Sequence, residues 1–222
     1  MIENNLEIIT TGDGSQTLYR RDLDEIYHST HGAIQESKHI FIDSALSAHP
    51  PLPLINILEI GFGTGLNAVL TMEYASKHSQ SIHYHTIEKH PLPPSITNKL
   101  SYGKQLSLES EYTAIHKSPW NKSIELSPHF SIHKTDRAFD DVELEDNRYH
   151  IIYFDAFAPE YSPELWTIPV FQHLHNALVA GGILITYCAK GEVQRNLKAS
   201  GYTVHKLPGP KGKREIVKGV RR

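Results

Sequence analysis

The sequence has little of the chemistry that stabilises secreted or membrane-embedded proteins. It contains one cysteine, Cys188, so an internal disulfide framework is excluded and a reducing compartment is expected. No apolar run approaches the roughly 18 residues that a membrane-spanning helix needs. The first residues, Met1–Asn5, lack the basic start and the apolar core of a secretory signal. The sequence therefore predicts a cytoplasmic globular protein.

The sequence also lacks an excess of positive charge. Its net charge is −3 over 222 residues, which argues against a protein that binds nucleic acid over its whole surface. The 15 histidines are scattered without the spacing of a zinc site, so no metal is expected. Basic residues do gather at the C-terminal end, as a local binding patch or as a solvated tail: Lys206, Lys211, Lys213, Arg214, Lys218, Arg221 and Arg222.

Residues 1–50 form a polar zone that we interpret as an N-terminal extension contributing to a substrate pocket. The turn residues Gly12–Ser15 predict a β-hairpin between Glu7–Thr10 and Thr17–Arg20. A further short strand is predicted at His39–Ile42. The sequence therefore predicts an N-terminal β-hairpin extension.

A stiff, proline-rich linker at 48–53 precedes the main domain, which we place at 51–222. There, apolar strands alternate with helical stretches, which predicts an α/β fold with a mostly parallel sheet. The helices are expected at 64–77, 93–102, within 105–118, at 169–179 before Gly181-Gly182, and at 191–200. The strands are expected at 54–60, 82–87, 130–134, 149–155, 183–187, 202–206 and 215–218.

A glycine-rich loop follows the first strand of the main domain, within Leu58–Asn67. Its glycines, Gly61, Gly63 and Gly65, are spaced G-x-G-x-G, whereas the dinucleotide pattern would place a glycine at Leu66. With an acidic residue two positions before the first glycine, the spacing is usual in S-adenosylmethionine enzymes and disfavours a nicotinamide enzyme. The predicted cofactor residues of this segment are Glu59, Gly61, Phe62, Gly63, Gly65 and Asn67.

Two further acids are candidates for holding an adenosyl group. Glu88 ends the second strand, where a carboxylate accepts both ribose hydroxyls, although a surface acid is the alternative. Asp136 follows the third strand, where an acid commonly accepts the adenine amino group. Asp140 and Asp141 lie close by and compete for that assignment.

The candidate catalytic residue is Asp155, at the end of the fourth strand. In an open α/β sheet, ligands bind outside the carboxyl ends of the strands, which places Asp155 beside the methyl donor. A carboxylate there orients an amine and accepts a proton from it, while a turn or cap role is the structural alternative. The aromatic residues that follow, Phe157 among them, are core residues by default or stack on a base or a sulfonium.

Seven segments along the chain carry a family resemblance: Asp13–Tyr19, Tyr27–Ala33, Glu36–Ile42, Leu58–Asn67, Phe154–Trp166, Thr186–Gly191 and Leu207–Glu215. Together they resemble the methyltransferase half of the bifunctional tRNA enzymes that complete 5-methylaminomethyl-2-thiouridine at the wobble position. The resemblance implies a Rossmann-like class I methyltransferase with a seven-stranded sheet, order 3-2-1-4-5-7-6, in which strand 7 is antiparallel. It also implies S-adenosylmethionine-dependent methylation of the aminomethyl group of 5-aminomethyl-(2-thio)uridine.

The resemblance carries roles to individual residues. Asp155 is expected to face the substrate amine, and the cofactor residues named above keep their roles. Substrate-binding residues are expected at Tyr27, Glu36, Phe157, Lys190, Lys213 and Arg214, where Lys213-Arg214 contacts phosphate or is a solvated pair. The expected partner is the anticodon arm of tRNA. The sequence ends at Arg222, so the flavin oxidase domain of the bifunctional relatives is expected to be absent, and a separate oxidase or other enzyme would supply the aminomethyl substrate.

Two alternatives remain open from the sequence. A spermidine-synthase-like aminopropyltransferase shares the fold, a glycine loop and an aspartate after the fourth strand, and also uses an amine as nucleophile. A non-catalytic module that binds RNA or S-adenosylmethionine would keep the fold without the chemistry. The intact set of Glu59, the glycine loop, Glu88 and Asp155 favours an enzyme.

Overall fold

The computed structural model describes residues 5–222. Residues 1–4 lie outside the described residues. They include the start of the predicted extension and most of Met1–Asn5, the segment that lacks the features of a secretory signal. The strands are β1 (Leu6–Thr10), β2 (Gln16–Arg20), β3 (Glu25–Ile26), β4 (Ile55–Ile60), β5 (Ile82–Ile87), β6 (Ser123–Ser127), β7 (Phe130–Thr135), β8 (Tyr149–Phe154), β9 (Leu178–Thr186), β10 (Tyr202–Pro208) and β11 (Glu215–Arg221). The α-helices are α1 (Ala33–Ser37), α2 (Leu66–His78), α3 (Pro94–Thr97), α4 (Tyr102–Leu106), α5 (Glu109–Lys117), α6 (Ile168–Ala177) and α7 (Gly191–Ala199).

The predicted N-terminal hairpin is present as β1 and β2, and β3 adds a third antiparallel strand to a small sheet. The side chain of Asp13 stabilises the β1–β2 turn, since it accepts hydrogen bonds from Thr11 Oγ1 (2.8 Å) and from the amide of Ser15 (2.9 Å). This small sheet places Arg20 and Tyr27 over the end of the large sheet that carries the glycine loop.

The strand predicted at His39–Ile42 is wrong, because α1 continues directly into a π-helix, Lys38–Leu46. Ile40, Phe41 and Ile42 are all buried there, and Phe41 packs 5.0 Å from the ring of Tyr153 on β8. A helix buries this run against α2 and β8 and pairs its backbone N–H and C=O groups within itself. A buried strand without a neighbouring strand would leave these groups without hydrogen bonds.

The large sheet has eight strands in the order β10-β11-β9-β8-β4-β5-β7-β6. Counted from β4 without β6, the strands follow the predicted order 3-2-1-4-5-7-6, and β11, the seventh, is antiparallel to β9 as expected. The expectation of seven strands is wrong by one, because β6 pairs antiparallel with β7 at the edge. This five-residue edge strand, whose register shifts between Glu125 and Ser127, has a weak sequence signal.

The glycine pair Gly181-Gly182 does not end a helix as predicted. Helix α6 already ends at Ala177, and β9 begins at Leu178 with the glycines inside it. The register against β8 shifts at this point, from Tyr149 opposite Leu178 to Ile151 opposite Ile183. Gly181 has a φ of 79°, which glycine adopts without strain, so the pair forms an irregularity in the strand.

Helices cover both faces of the large sheet. Helix α2 and the π-helix bury one set of strand side chains, while α6 and α7 bury the other. No helix within residues 5–222 is long and apolar enough to cross a bilayer. The division of the chain near residue 50 stays a prediction.

Candidate active site

A cavity of about 620 Å³ lies at the carboxyl ends of β4, β5 and β8. Its size is in the range of pockets that bind small molecules. The small N-terminal sheet and the loop between β10 and β11 complete its walls. Ten of the predicted site residues line this cavity: Tyr27, Glu36, Gly61, Phe62, Gly63, Asn67, Glu88, Asp155, Phe157 and Lys213.

The glycine loop brings its backbone close to the cavity and to β8. Gly61 has a φ of 93°, and a Cβ atom there would lie 2.6 Å from the carbonyl oxygen of Asp155. Gly63 has a φ of 48°, and a Cβ atom on it would lie 3.3 Å from the ring of Tyr27. The loop therefore requires glycine for its conformation at both positions, and for space at Gly61.

Glu88, at the end of β5, holds the opposite side of the loop. One of its carboxylate oxygens accepts a hydrogen bond from the amide of Gly63 (3.0 Å), and the other accepts one from the amide of His90 (2.8 Å). These bonds fix the carboxylate at the cavity wall. Each oxygen keeps lone-pair capacity for a ligand hydroxyl, as the ribose role predicted for Glu88 requires.

Asp155 lies at the floor of the cavity and is joined to β4 through Asn67. The side-chain amide of Asn67 donates to Asp155 Oδ2 (2.8 Å) and to Glu59 Oε1 (3.0 Å). Burial raises the pKa of Asp155 well above its usual value, and the nearby Glu59 raises it further. The other oxygen, Oδ1, accepts no hydrogen bond among residues 5–222, and it is not fully buried. It is therefore the free acceptor at the cavity floor.

A second acidic residue, Glu36, lies beside this floor. Its carboxylate accepts a hydrogen bond from the amide of Ser29 (2.6 Å) and forms an ion pair with Lys213 Nζ (2.8 Å). Lys213 Nζ also lies 4.1 Å from the ring centroid of Tyr187, a cation–π distance. The loop between β10 and β11 therefore contributes an ammonium group to the cavity, paired with Glu36 and resting on an aromatic ring.

Aromatic side chains form the wall between Asp155 and the N-terminal sheet. The rings of Tyr27 and Phe157 meet edge to face at 5.0 Å, and the guanidinium of Arg20 lies 5.8 Å from the ring of Phe157. Trp166 Nε1 donates to the carbonyl oxygen of Phe157 (2.8 Å), which fixes the loop that follows Asp155.

Five predicted site residues do not line the cavity. Glu59 is buried behind it, where Thr86 Oγ1 donates to its second oxygen (2.7 Å). Gly65 begins α2 against His116, and Arg214 is exposed on the loop between β10 and β11. Asp136 is exposed and bonded to Asn121 Nδ2 (2.6 Å), and Lys190 forms an ion pair with Glu160. The ligand-binding roles of these residues stay predictions.

Several cavity residues are missed by the sequence reasoning: Arg20, Glu25, His28, Arg137 and Tyr187. Asp140 lines the cavity and Asp136 does not, so Asp140 is the better candidate for the contact with the adenine amino group. Position after a strand was the available signal for Asp140. No sequence signal places Arg20 or His28 beside a loop some 40 residues away.

The residues present fit S-adenosylmethionine. The glycine loop admits a close ligand at its backbone, and Glu88 offers two fixed carboxylate oxygens. Asn67 Oδ1 is buried without a hydrogen-bond partner among the described residues, so it can accept from the amino group of a methionine moiety. Within residues 5–222, no group of histidine, cysteine or carboxylate side chains could hold a metal ion.

A family model described as "S-adenosyl-L-methionine-dependent methyltransferase" matches residues 123–222. Residues 123–222 of the chain belong to this family of S-adenosylmethionine-dependent methyltransferases. The "tRNA 5-methylaminomethyl-2-thiouridine biosynthesis bifunctional protein MnmC" of Leptospira interrogans is 30% identical over 230 residues, which cover 94% of this chain. The match covers 34% of that relative, so the chain spans about a third of its length.

Two solved structures support the methyltransferase fold. MNMC2 from Aquifex aeolicus superposes with a TM-score of 0.77 at 23% identity, covering 96% of this methyltransferase and 70% of that chain. Spermidine synthase from Thermotoga maritima superposes with a TM-score of 0.61 at 16% identity, covering 99% and 74% of the two chains. At these identities the likeness establishes the fold and not the substrate.

The role of Glu88 in this methyltransferase can be tested by its removal. We expect Glu88→Ala to weaken S-adenosylmethionine binding about 10- to 100-fold, because hydrogen bonds to a charged group contribute about 1.5–3 kcal/mol. Isothermal titration calorimetry measures this dissociation constant. Glu143→Ala is the matched control, since its carboxylate is exposed and lies outside the cavity lining. Equal losses in both variants would contradict the role of Glu88.

Proposed function

We propose that this chain methylates the amino group of 5-aminomethyl-(2-thio)uridine at the wobble position of tRNA, with S-adenosylmethionine as methyl donor. The name of the Leptospira relative supports this proposal, because 5-methylaminomethyl-2-thiouridine is the product of that methylation. The chain spans about a third of that bifunctional protein, and the aminomethyl group would be formed in a preceding enzymatic step.

The observation that carries the proposal is the Asp155 carboxylate at the cavity floor, with Oδ2 fixed by Asn67 and Oδ1 free. An alkylammonium has no lone pair to attack with, whereas a neutral amine has one. Bound S-adenosylmethionine supplies a methyl group on a positively charged sulfur. Asp155 is placed to orient the amine by hydrogen bond and to accept the proton that it loses on methylation.

The ion pair of Lys213 with Glu36 complements this acceptor. The Lys213 ammonium offsets part of the negative charge of Glu36 and Asp155, which by themselves would stabilise the protonated, non-nucleophilic amine. The rings of Tyr27 and Phe157 offer apolar surface against which a uracil base can pack. Much of the rate enhancement would come from holding the two reactants in line.

The tRNA itself would be held from outside the cavity. Lys211 and Arg214 are exposed on the loop that carries Lys213, and neither has an ion-pair partner among residues 5–222. These side chains are suited to phosphate contacts on the anticodon arm, which would compensate locally for the net negative charge of the protein. A tRNA substrate also requires the protein to work in the cytoplasm.

Nucleoside mass spectrometry of tRNA from a strain that lacks the gene tests the proposal. We expect 5-aminomethyluridine nucleosides to accumulate and the methylaminomethyl nucleosides to be lost, with recovery on complementation. The purified protein should methylate the tRNA from that strain. Incubation with polyamines and decarboxylated S-adenosylmethionine tests the aminopropyltransferase alternative. Aminopropyl product without tRNA methylation would overturn the proposal.

A further inference from the structure

Asn67 joins two buried carboxylates through one amide group. Its nitrogen donates to Glu59 Oε1 on β4 (3.0 Å) and to Asp155 Oδ2 after β8 (2.8 Å). The amide has two N–H bonds, so each carboxylate receives one of them. The orientation of the amide is also determined, because its oxygen in that place would face two other acceptors.

No ion pair balances these two carboxylates directly among residues 5–222. Glu59 is 1% exposed, and its second oxygen accepts from Thr86 Oγ1 (2.7 Å). Carboxylates within about 6 Å of each other oppose each other's ionisation, most strongly where water is excluded. Burial raises the pKa of Glu59 to about 7, and that of Asp155 well above its usual value.

Other charged and titratable groups face the pair. Asp155 is faced by Glu36, by Lys213 and by the hydroxyl of Tyr187, and Lys213 is already paired with Glu36. Glu59 is faced by Glu88 and by the buried hydroxyls of Tyr84 and Tyr153. None of these groups donates a hydrogen bond to Asp155 as Asn67 does, so the amide is the main direct stabiliser of its charge.

We propose that Asn67 is a positioning residue which couples Glu59 to Asp155, so that the two carboxylates hold one negative charge between them and Asp155 Oδ1 is directed into the cavity. Glu59 then acts through Asn67 and does not touch the substrate. The shared charge lies partly on Glu59 and partly on Asp155, where an amine can use it. The catalytic consequence rests on the proposed function, while the coupling is a property of the ligand-free protein.

The coupling predicts shifts of opposite sign in two variants. Glu59→Gln removes the carboxyl group that competes with Asp155 for the shared charge, and it keeps an amide that can accept from Asn67. The Asp155 titration midpoint should therefore fall by at least about one pH unit. Asn67→Leu removes the N–H donors at similar volume, so the midpoint should rise. Carbon-13 detection of side-chain carboxyl groups measures both in the ligand-free protein, and Asp155→Asn assigns the signal.

Glu73→Gln is the matched control, since it removes a carboxylate from α2 that pairs with Lys77 away from the cavity. It should leave the Asp155 midpoint unchanged. Unchanged midpoints in folded Glu59→Gln and Asn67→Leu would overturn the coupling. If Asn67→Leu fails to fold, Glu59→Gln alone decides, because a residue with only a structural role does not lower the midpoint.

A kinetic measurement connects the coupling to the reaction. The acid limb of the kcat/KM profile should move to lower pH in Glu59→Gln and to higher pH in Asn67→Leu, because Asp155 must be ionised to accept a proton. The carboxyl titration needs no substrate. Shifted midpoints without methylation of tRNA would therefore refute the proposed function and leave the coupling intact.

Discussion

Asp155→Asn is expected to lower the rate constant of methyl transfer by about 10²- to 10⁴-fold, the contribution typical of a positioned proton acceptor. The variant keeps the shape of the side chain, and its amide oxygen can still accept the hydrogen bond from Asn67. It loses the charge and the basicity of the carboxylate. Binding of S-adenosylmethionine should therefore persist while turnover is lost.

Single-turnover kinetics with saturating tRNA and calorimetry with S-adenosylmethionine separate these two effects. Asp43→Asn is the matched control, because Asp43 is exposed on the π-helix and lies outside the cavity lining. It should behave as the wild type in both measurements. Turnover by Asp155→Asn at the wild-type rate would refute the role of Asp155.

The fold was accessible from the sequence because its signals are local. Apolar runs that end at glycine or at an acid, such as Ile55–Ile60 and Tyr149–Phe154, predict buried parallel strands whatever their neighbours are. The rule that ligands bind at the carboxyl ends of such strands then places Glu88 and Asp155 at one cavity. The confirmed strand order came with the family resemblance and not with the periodicity.

The details that escaped prediction depend on contacts between distant segments. An acid two residues before a glycine loop faces either the ligand or the interior, and the partners Thr86 and Asn67 place Glu59 in the interior. Asp136 and Asp140 both follow the same strand, but Asp136 lies outside the cavity lining and accepts a hydrogen bond from Asn121, whereas Asp140 lines the cavity. The short apolar run His39–Ile42 is compatible with a strand or with a helix. In the structure it is helical and packs against β8.

The same long-range contacts show why the cavity needs the whole chain. The large sheet supplies the glycine loop, Glu88 and Asp155, while Arg20 ends β2 of the small N-terminal sheet and Tyr27 directly follows its strand β3. Lys213 comes from the loop between the last two strands and pairs with Glu36 of α1. Specificity for the substrate would therefore reside in the two additions that meet over a widely shared cofactor loop.

Gly61→Ala is expected to destabilise the protein by about 2–5 kcal/mol and to impair methyl transfer, because strain and overpacking add at this position. Gly61 has a φ of 93°, which residues with a Cβ atom rarely adopt. The new Cβ atom would lie 2.6 Å from the carbonyl oxygen and 3.1 Å from the carbonyl carbon of Asp155. The loop and the end of β8 must then move apart, which displaces the Asp155 carboxylate.

Gly14→Ala separates the two causes, since Gly14 has a similar φ of 82° but no atom within 4 Å of an added Cβ. It should lose only the conformational part, about 1 kcal/mol, and keep its activity. Urea unfolding followed by circular dichroism gives both free energies. Equal destabilisation of the two variants would show that backbone strain alone limits Gly61. A larger loss of stability in Gly61→Ala than in Gly14→Ala, together with a lower kcat, would show that glycine is needed there to let the glycine loop and the end of β8 approach each other.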